Sequence, residues 1–429
     1  MFSTSALLQR IEQGAFDRLF DRLYGADAVQ TSRARYTQAV EEFTAVFGER
    51  DNVRLFSAPG RTEIGGNHTD HNHGCVLAAS VNLDVIAVVS QNDSSIARVQ
   101  SQGYPMDTVD LSDTSVHSDE INASASLIRG TAARFGQLGY AVGGFDAYTT
   151  SNVLKGSGLS SSAAFEVLIG TILSHVYNDG NVDAVSIAKI AQYAENIYFG
   201  KPCGLMDQTA SSVGGIITID FKDTENPVIE QVPFDFAACG HQLCIVDVGG
   251  SHADLTHEYA AVPIEMKEIA NELGVEVLRE TSFEAFFPKM AQLREKFGDR
   301  AVLRAMHFFA ENARVGEEVA ALRNNDFETF KKFVLASGHS SFEYLQNIYA
   351  NCDVSFQGMS IALALAQRLL DGKGAWRVHG GGFGGTSQNF VPTELVDDFR
   401  ETMESVFGKG NCHILSIRPV GGIELTKEI

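Results

Sequence analysis

An α+β protein in two halves that meet near residue 220 is what the sequence predicts. Three observations carry that expectation. Before residue 220, short alternating runs such as Val53-Arg54-Leu55-Phe56-Ser57-Ala58 are interleaved with helical stripes. Beyond about residue 222 the pattern changes to long helical stretches. The chain then closes on a strand pair around Gly380-Gly381-Gly382-Phe383-Gly384-Gly385. At 429 residues there is room for two or three domains, each with its own core. There is no internal repeat and no low-complexity linker.

Composition narrows the function. With 44% hydrophobic and 20% charged residues the chain is globular rather than disordered. A formal charge of −21 argues against a nucleic-acid or anionic-membrane binder, because a phosphate backbone needs a basic footprint. It leaves ATP possible, since a few local N–H groups and cations can hold one nucleotide. The six cysteines (75, 203, 239, 244, 352 and 412) form no Cys-x-x-Cys and read as reduced thiols. The N-terminus lacks a basic region followed by an apolar core, and no run approaches a membrane span. The expectation is a cytoplasmic protein.

The elements follow in order. Residues 1–50 read as polar-amphipathic helices. Leu7, Leu8 and Ile11 begin one stripe, and Tyr36, Val40, Phe43 and Phe47 form another that Gly48 stops. They suit packing or a partner surface and carry no chemistry. The alternating run from Val53 is expected to end at Pro59-Gly60. Strand-like runs recur at 75–79, 84–90, 96–101 and 145–151, with a helix within 123–137.

The densest polar stretch is Gly60-Arg61-Thr62-Glu63-Ile64-Gly65-Gly66-Asn67-His68-Thr69-Asp70-His71-Asn72-His73-Gly74. Three readings compete for it. His68, Asp70, His71 and His73 are metal-ligand types, but no set of them fits both helix and strand spacing. A solvated loop has a similar composition. A sugar-binding loop fits as well, because a buried hydroxyl needs both a donor and an acceptor and Arg, Asn, His and Asp supply them.

The strand at 145–151 leads into Gly156-Ser157-Gly158-Leu159-Ser160-Ser161-Ser162-Ala163-Ala164. Phe165, Leu168, Ile169, Ile172 and Val176 behind it form a helical stripe. The serines therefore stand at a helix N-terminus, where free N–H groups and the dipole attract anions. One hydroxyl caps a helix, so three exceed that need and point to phosphate. The glycines let backbone approach a ligand. No lysine follows Gly158, and Ser161 stands where a dinucleotide fingerprint needs glycine, so neither of those loops applies.

A helix over 183–199 carries Ile187, Ala191, Ala194 and Tyr198 on one stripe, with Glu195 at its border. Glu195 is either a snorkelling surface residue or one paired with a cation. Asp207 lies among apolar and small residues and is either a turn aspartate or a functional one. In the second half, strands are expected at 242–248, 376–379, 387–391, 413–417 and 423–425, and helices at 255–273, 301–323, 327–349 and 361–370. His379-Gly380-Gly381-Gly382 looks like a lipase oxyanion loop, but no Gly-x-Ser-x-Gly elbow exists. His257-Glu258 has no second histidine to complete a zinc-protease motif.

Taken in register, these motifs resemble the GHMP kinases and, within them, the galactokinase family. The opening Gly-Arg…Gly-x-His-Thr-Asp signature matches the stretch from Gly60 to Gly74. The Gly-Leu-Ser-Ser-Ser-Ala loop matches residues 158–163, and the late Arg-x-x-Gly-x-Gly-Phe-Gly-Gly motif matches residues 377–385. Ala194-Glu195-Asn196, Gly204-Leu205-Met206-Asp207-Gln208 and His257-Glu258-Tyr259 fall between them in order. The likeness spans about residues 35 to 425.

The resemblance implies a two-domain GHMP-kinase-like fold with the active site between its domains. The N-terminal domain (35–220) would be ribosomal S5 domain 2-like and the C-terminal one (221–429) ferredoxin-like, after a helical extension over 1–34. It implies ATP- and Mg2+-dependent phosphorylation of galactose at its anomeric hydroxyl. Asp207 would be the base, and Arg61 would keep it ionised and steady the transferred charge. Ser162 and Glu195 would hold Mg2+. Gly156, Ser157, Gly158, Leu159, Ser160, Ser161, Ser162 and Ala163 would cradle the nucleotide. Asp70 would bind O3 and O4 of the sugar, His68 and Tyr259 would line the pocket, and Gly381 would close over it. The expected partners are these small molecules, with no nucleic acid or membrane, in a monomer or weak homodimer.

Two departures bear on the sugar. Asn67 stands where galactokinases have a Glu that reaches the C6 hydroxyl, and His71 where they have Tyr. An amide at 67 would bond to a C6 hydroxyl and also tolerate a C6 carboxylate, so galacturonate, or another galactose-like sugar, is the alternative substrate. Leu154-Lys155 replaces a Pro-containing lead into the serine turn, and His379 replaces a Thr. A sugar and ATP sensor without turnover is the other alternative, against which the complete serine turn counts.

Overall fold

The computed structural model describes residues 2–154, 158–249 and 255–429. The strands in order are β1 (Val53–Gly65), β2 (Cys75–Gln91), β3 (Ile96–Ser101), β4 (Met106–Asp110), β5 (Phe145–Ser151), β6 (Ile216–Asp220), β7 (Val228–Gln231), β8 (His241–Asp247), β9 (Ala375–His379), β10 (Thr386–Pro392), β11 (Cys412–Leu415) and β12 (Ile423–Glu424). They form two sheets. The larger runs β12-β1-β2-β5-β3-β4, with β6 and β7 continuing from the other end of β2. Its pairings are antiparallel except β3 on β5. The smaller sheet, β11-β8-β10-β9, is antiparallel throughout. Two strands from beyond residue 220, β7 and β12, thus belong to the larger sheet.

Alternation along the strands divides the core. Val53, Leu55, Ile86 and Val88 meet the helices α1 (Thr4–Glu12), α2 (Asp17–Tyr24) and α3 (Val29–Phe47). Phe56, Ala58, Val85, Ala87 and Val89 point the other way, onto α4 (Ser124–Gln137) and α5 (Ser161–Tyr177). The stripes at 7–11 and 36–47 are therefore buried inside the chain, with Leu7, Ile11, Tyr36 and Phe43 fully enclosed.

The other helices are α6 (Ala184–Tyr193), α7 (Met206–Val213), α8 (Thr256–Glu272), α9 (Phe283–Phe286), α10 (Met290–Phe297), α11 (Asp299–Arg323), α12 (Phe327–Ser340), α13 (Gly358–Leu370) and α14 (Val396–Phe407). Three expectations change. β1 does not stop at Pro59-Gly60. The ladder shifts register between Pro59 and Arg61, so the residue lacking an N–H falls at a bulge and pairing resumes to Gly65. The runs at 75–79 and 84–90 are one strand, β2. The helices expected over 183–199 and 327–349 each break into a π-turn, at Ala194–Phe199 and Ser341–Leu345. Such turns re-aim side chains, and the first of them carries Glu195.

Candidate active site

β1 is the platform of the site. Residues two apart on a strand share a face, and Arg61 and Glu63 both line a cavity of about 430 Å3. The same walls carry His68, Asp70, Ser160, Ser161, Ser162, Asp207, Tyr259 and Gly381. A neighbouring cavity of about 380 Å3 shares Gly158, Lys201, Tyr259 and Gly381 with it. A larger groove of about 650 Å3 is lined by Phe234, Phe236, Leu415 and Pro419 and contains none of the motif residues.

Asp207 opens α7, whose first-turn N–H groups favour a negative charge. Arg61 grips it with two parallel bonds, Nε to Oδ1 and Nη2 to Oδ2, each 2.6 Å. Ser160 Oγ also donates to Oδ2. Burial works against the charged carboxylate, but Arg61 and Ser160 outweigh it and hold Asp207 below the ordinary range. Burial likewise opposes the Arg61 charge, and Asp207 outweighs it there too. Although ringed by protein, Asp207 keeps 29% of its side chain open. Arg61 Nη1 donates to the Gly158 carbonyl, and its backbone N–H donates to the Leu159 carbonyl at 3.0 Å. Arg61 therefore ties the aspartate to the serine turn.

The serines do not cap α5. Ser160 has φ 54°, a left-handed conformation, and makes no side-chain cap. Ser162 Oγ lies 3.4 Å from Glu195 Oε1. The N–H groups of the first turn precede the first intrahelical bond and stay available to an anion. The Leu159 side chain is in the core. Ala163 is buried. Gly156 and Ser157 lie outside the described residues.

Glu195 is 3% exposed and so is no snorkelling surface residue. It accepts from Gln208 Nε2 at 2.8 Å and Lys201 Nζ at 3.4 Å. Gln208 also reaches Glu166 Oε2 at 3.1 Å. Burial, then the Glu195 charge, pushes the Glu166 carboxyl up, and its Oε1 is buried without a partner. A hydroxyl and a carboxylate with a second carboxyl behind them are hard oxygen donors of the kind Mg2+ takes. The residues fit that ion. The metal reading of 60–74 fares differently. Among the described residues the ligand atoms that converge are those of His257, Glu258 and Cys352, not the histidines of that loop.

On the opposite wall, burial lowers His68 to about 3, so its ring is neutral. Its Nε2 is 3.0 Å from the Gly381 carbonyl, which can only accept, so Nε2 carries the hydrogen. Nδ1 is left as a buried acceptor without a partner. Asp70 Oδ1 accepts from the His71 N–H at 3.0 Å. Oδ2 stands so near Gly204 that a Cβ there would lie 3.0 Å away. Tyr259 packs its ring 5.2 Å from His68 and sets its hydroxyl 3.3 Å from His71 Nε2.

Asn67 is placed differently from the sequence expectation. It is fully buried and does not line the cavity. Nδ2 donates to Glu63 Oε1 at 3.1 Å and the Gly380 carbonyl at 2.7 Å. Oδ1 accepts from Asn347 Nδ2 at 2.9 Å and Ser341 Oγ at 3.2 Å. Its hydrogen-bonding groups are used within the protein, which removes the basis for a galacturonate preference at this position.

Several supporting residues had no role assigned from the sequence, although Arg377 and His379 lie within the late glycine motif. Glu311 on α11 accepts from the N–H groups of Gly66 and Asn67, both at 3.2 Å, and fixes the turn. His307, one turn earlier, meets the Asn67 carbonyl at 2.9 Å. Arg377 sets Nη2 2.7 Å from Glu63 Oε1. His379 bridges the two sheets. Its Nε2 accepts from the Glu63 N–H at 3.3 Å, so Nδ1 donates to Thr386 Oγ1 at 2.9 Å. Glu311 and Arg377 could have been suspected as charges set in apolar surroundings; their partners could not.

Comparison with known proteins decides the family. Residues 41–91 match the galactokinase galactose-binding signature, and 126–215 match the GHMP kinases N terminal domain. The chain is 30% identical to a galactokinase of Streptomyces coelicolor over 369 residues, covering 86% of this chain and 92% of that one. It is 32% identical to a galactokinase of Actinobacillus pleuropneumoniae, covering 86% and 93%. The chain belongs to the galactokinase family. Its fold is that of the GHMP kinases. Lactococcus lactis galactokinase complexed with galactose superposes with a TM-score of 0.77 at 22% identity, over 91% of this chain and all of that one. Methanococcus jannaschii mevalonate kinase gives 0.61 at 13% identity, over 86% and 99%. This galactokinase family member has, among its described residues, no helix long and apolar enough to cross a membrane.

Proposed function

We propose that the protein transfers the γ-phosphoryl group of ATP to the anomeric hydroxyl of galactose, giving galactose 1-phosphate and ADP. The observation that carries this is the Arg61–Asp207 pair, which places an ionised carboxylate beside the serine turn on the wall of the cavity. The anomeric O–H proton passes to an Asp207 oxygen as the new O–P bond forms and the bond to ADP breaks. Asp207 is a weak base, so this transfer comes late, which suits a loose phosphoryl transition state. Arg61 balances the charge near both partners. The first-turn N–H groups of α5 face the triphosphate. Ser162 and Glu195 would hold Mg2+, which neutralises phosphate charge when bound. The Asp70 carboxylate accepts from sugar hydroxyls, His68 lines the pocket, and Tyr259 covers the ring.

A panel of hexoses varied at C6, assayed for ATP consumption with 31P NMR of the product, tests this. Galactose is expected to be consumed and phosphorylated at C1. No ADP release with any hexose, while galactose and ATP still bind, would leave a sensor instead.

A further inference from the structure

Glu63 is a buried carboxylate that phosphoryl transfer does not use. It stands two residues from Arg61 on β1 and lines the same 430 Å3 cavity. Its two oxygens are treated unequally. Oε1 accepts from Arg377 Nη2 at 2.7 Å and from Asn67 Nδ2 at 3.1 Å. Oε2 has no hydrogen-bond partner among the described residues, and it is not among the buried unpartnered atoms. An oxygen that is neither paired nor enclosed, on a side chain lining a cavity, is open to what the cavity holds.

The groups holding Glu63 are themselves buried and hydrogen-bonded. Arg377 is fully buried and anchored to the Ile64 carbonyl at 2.6 Å. Asn67 is pinned from four directions. The carboxyl is thus clamped on one side and presented on the other, which is how a binding group is pre-organised. A carboxylate oxygen only accepts, so its partner must be a donor, and a hexose offers hydroxyls. A uronate offers a second negative charge instead.

We propose that Glu63 determines sugar specificity: Oε2 accepts a hydrogen bond from one hydroxyl of the bound neutral hexose, and its charge turns away sugars bearing a carboxylate there. Arg377 and Asn67 act through it as positioning residues. This rests on the sugar-kinase reading above.

The test is a cycle between Glu63→Gln and the monodeoxygalactoses, with galacturonate added, read as kcat/KM and as equilibrium sugar binding. In the wild type, one monodeoxy sugar is expected to lose roughly 10–100-fold, the value of a hydrogen bond to a charged group. In Glu63→Gln that penalty shrinks to a few-fold for the same sugar alone, and galacturonate gains on galactose by about tenfold or more. Glu63→Gln weakens a buried partner of Arg377. If circular dichroism shows it unfolded, Glu63→Asp, which keeps the charge but withdraws Oε2, goes through the same cycle: the monodeoxy penalty is expected to shrink likewise, while the galactose-to-galacturonate ratio, which follows the charge, stays near that of the wild type. Equal penalties in variant and wild type for every monodeoxy sugar, with an unchanged galactose-to-galacturonate ratio, overturn the proposal, as does a uniform loss across all sugars. Wild-type turnover is measured first. Its absence sinks the kinase reading, whereas normal turnover with an unmoved cycle sinks only the role of Glu63.

Discussion

The sugar side and the phosphate side of this site are built by opposite means. On the sugar side, Asn67, His68 and Glu63 reach across to Gly380, Gly381, Asn347 and Arg377, all of them residues of the C-terminal part of the chain. On the phosphate side, Ser162 meets Glu195 at only 3.4 Å, and Lys201 at the mouth is 61% exposed. The difference follows from the ligands. A neutral hexose must be matched hydroxyl by hydroxyl, so its walls are set in advance. A triphosphate brings charge and metal with it, and needs N–H groups left unpaired.

Arg61 touches both sides, so removing it breaks the comparison most severely. Arg61→Ala is expected to lower kcat/KM for both substrates by roughly 10²–10³-fold, the scale of a lost transition-state donor. Steady-state kinetics with each substrate varied checks this, and a loss confined to one KM contradicts it. The next effect belongs to the phosphate side alone. Glu195→Gln is expected to raise the Mg2+ concentration for half-maximal rate by about tenfold or more, with the galactose KM within about twofold. A magnesium titration decides it.

A smaller effect belongs to the sugar side alone. A Cβ on Gly381 would lie 2.7 Å from Tyr259 Cε2, so Gly381→Ala forces the ring to give. At about 1 kcal/mol of crowding this raises the galactose KM roughly fivefold and leaves the ATP KM unchanged. The smallest kinetic effect comes from behind the pocket. Glu318 is fully buried with both carboxyl oxygens unpartnered, and burial, then the Glu311 charge, raises it well above the usual range. A carboxyl raised in the folded state favours folding below its unfolded value, and that contribution is lost as pH climbs through the folded one. The margin of thermal stability of the wild type over Glu318→Gln should therefore fall as pH rises from mildly acidic values, with kcat unchanged in the variant. A margin that grows with pH would reverse this assignment.

What was legible in the sequence was what is contiguous. Arg61, the serine turn, Asp207 and the late glycines each announce themselves by local spacing, and the fold brings them onto one cavity. What escaped depends on distant partners. Whether Asn67 faces a sugar or the protein is decided by Ser341 and Asn347, hundreds of residues on. Glu311 and His307 sit on a helix whose apolar stripe says nothing about the backbone N–H groups or the carbonyl they meet. Pro59-Gly60 reads as a strand end because a bulge that shifts the register and lets pairing continue cannot be seen without β2 beside it. The strand β4 and the helix α14 were not expected at all. β4 is a short edge strand with one fully buried residue, Val109, and α14 is carried by three, Val396, Phe399 and Met403.

The most direct test is the single-turnover rate of phosphoryl transfer in Asp207→Asn, with galactose binding measured on the same protein. The amide keeps the shape of the carboxylate and removes the proton acceptor. The expected result is a rate lower by roughly 10²–10⁴-fold with galactose affinity nearly unchanged. A transfer rate close to that of the wild type would contradict the assignment of Asp207 as the base.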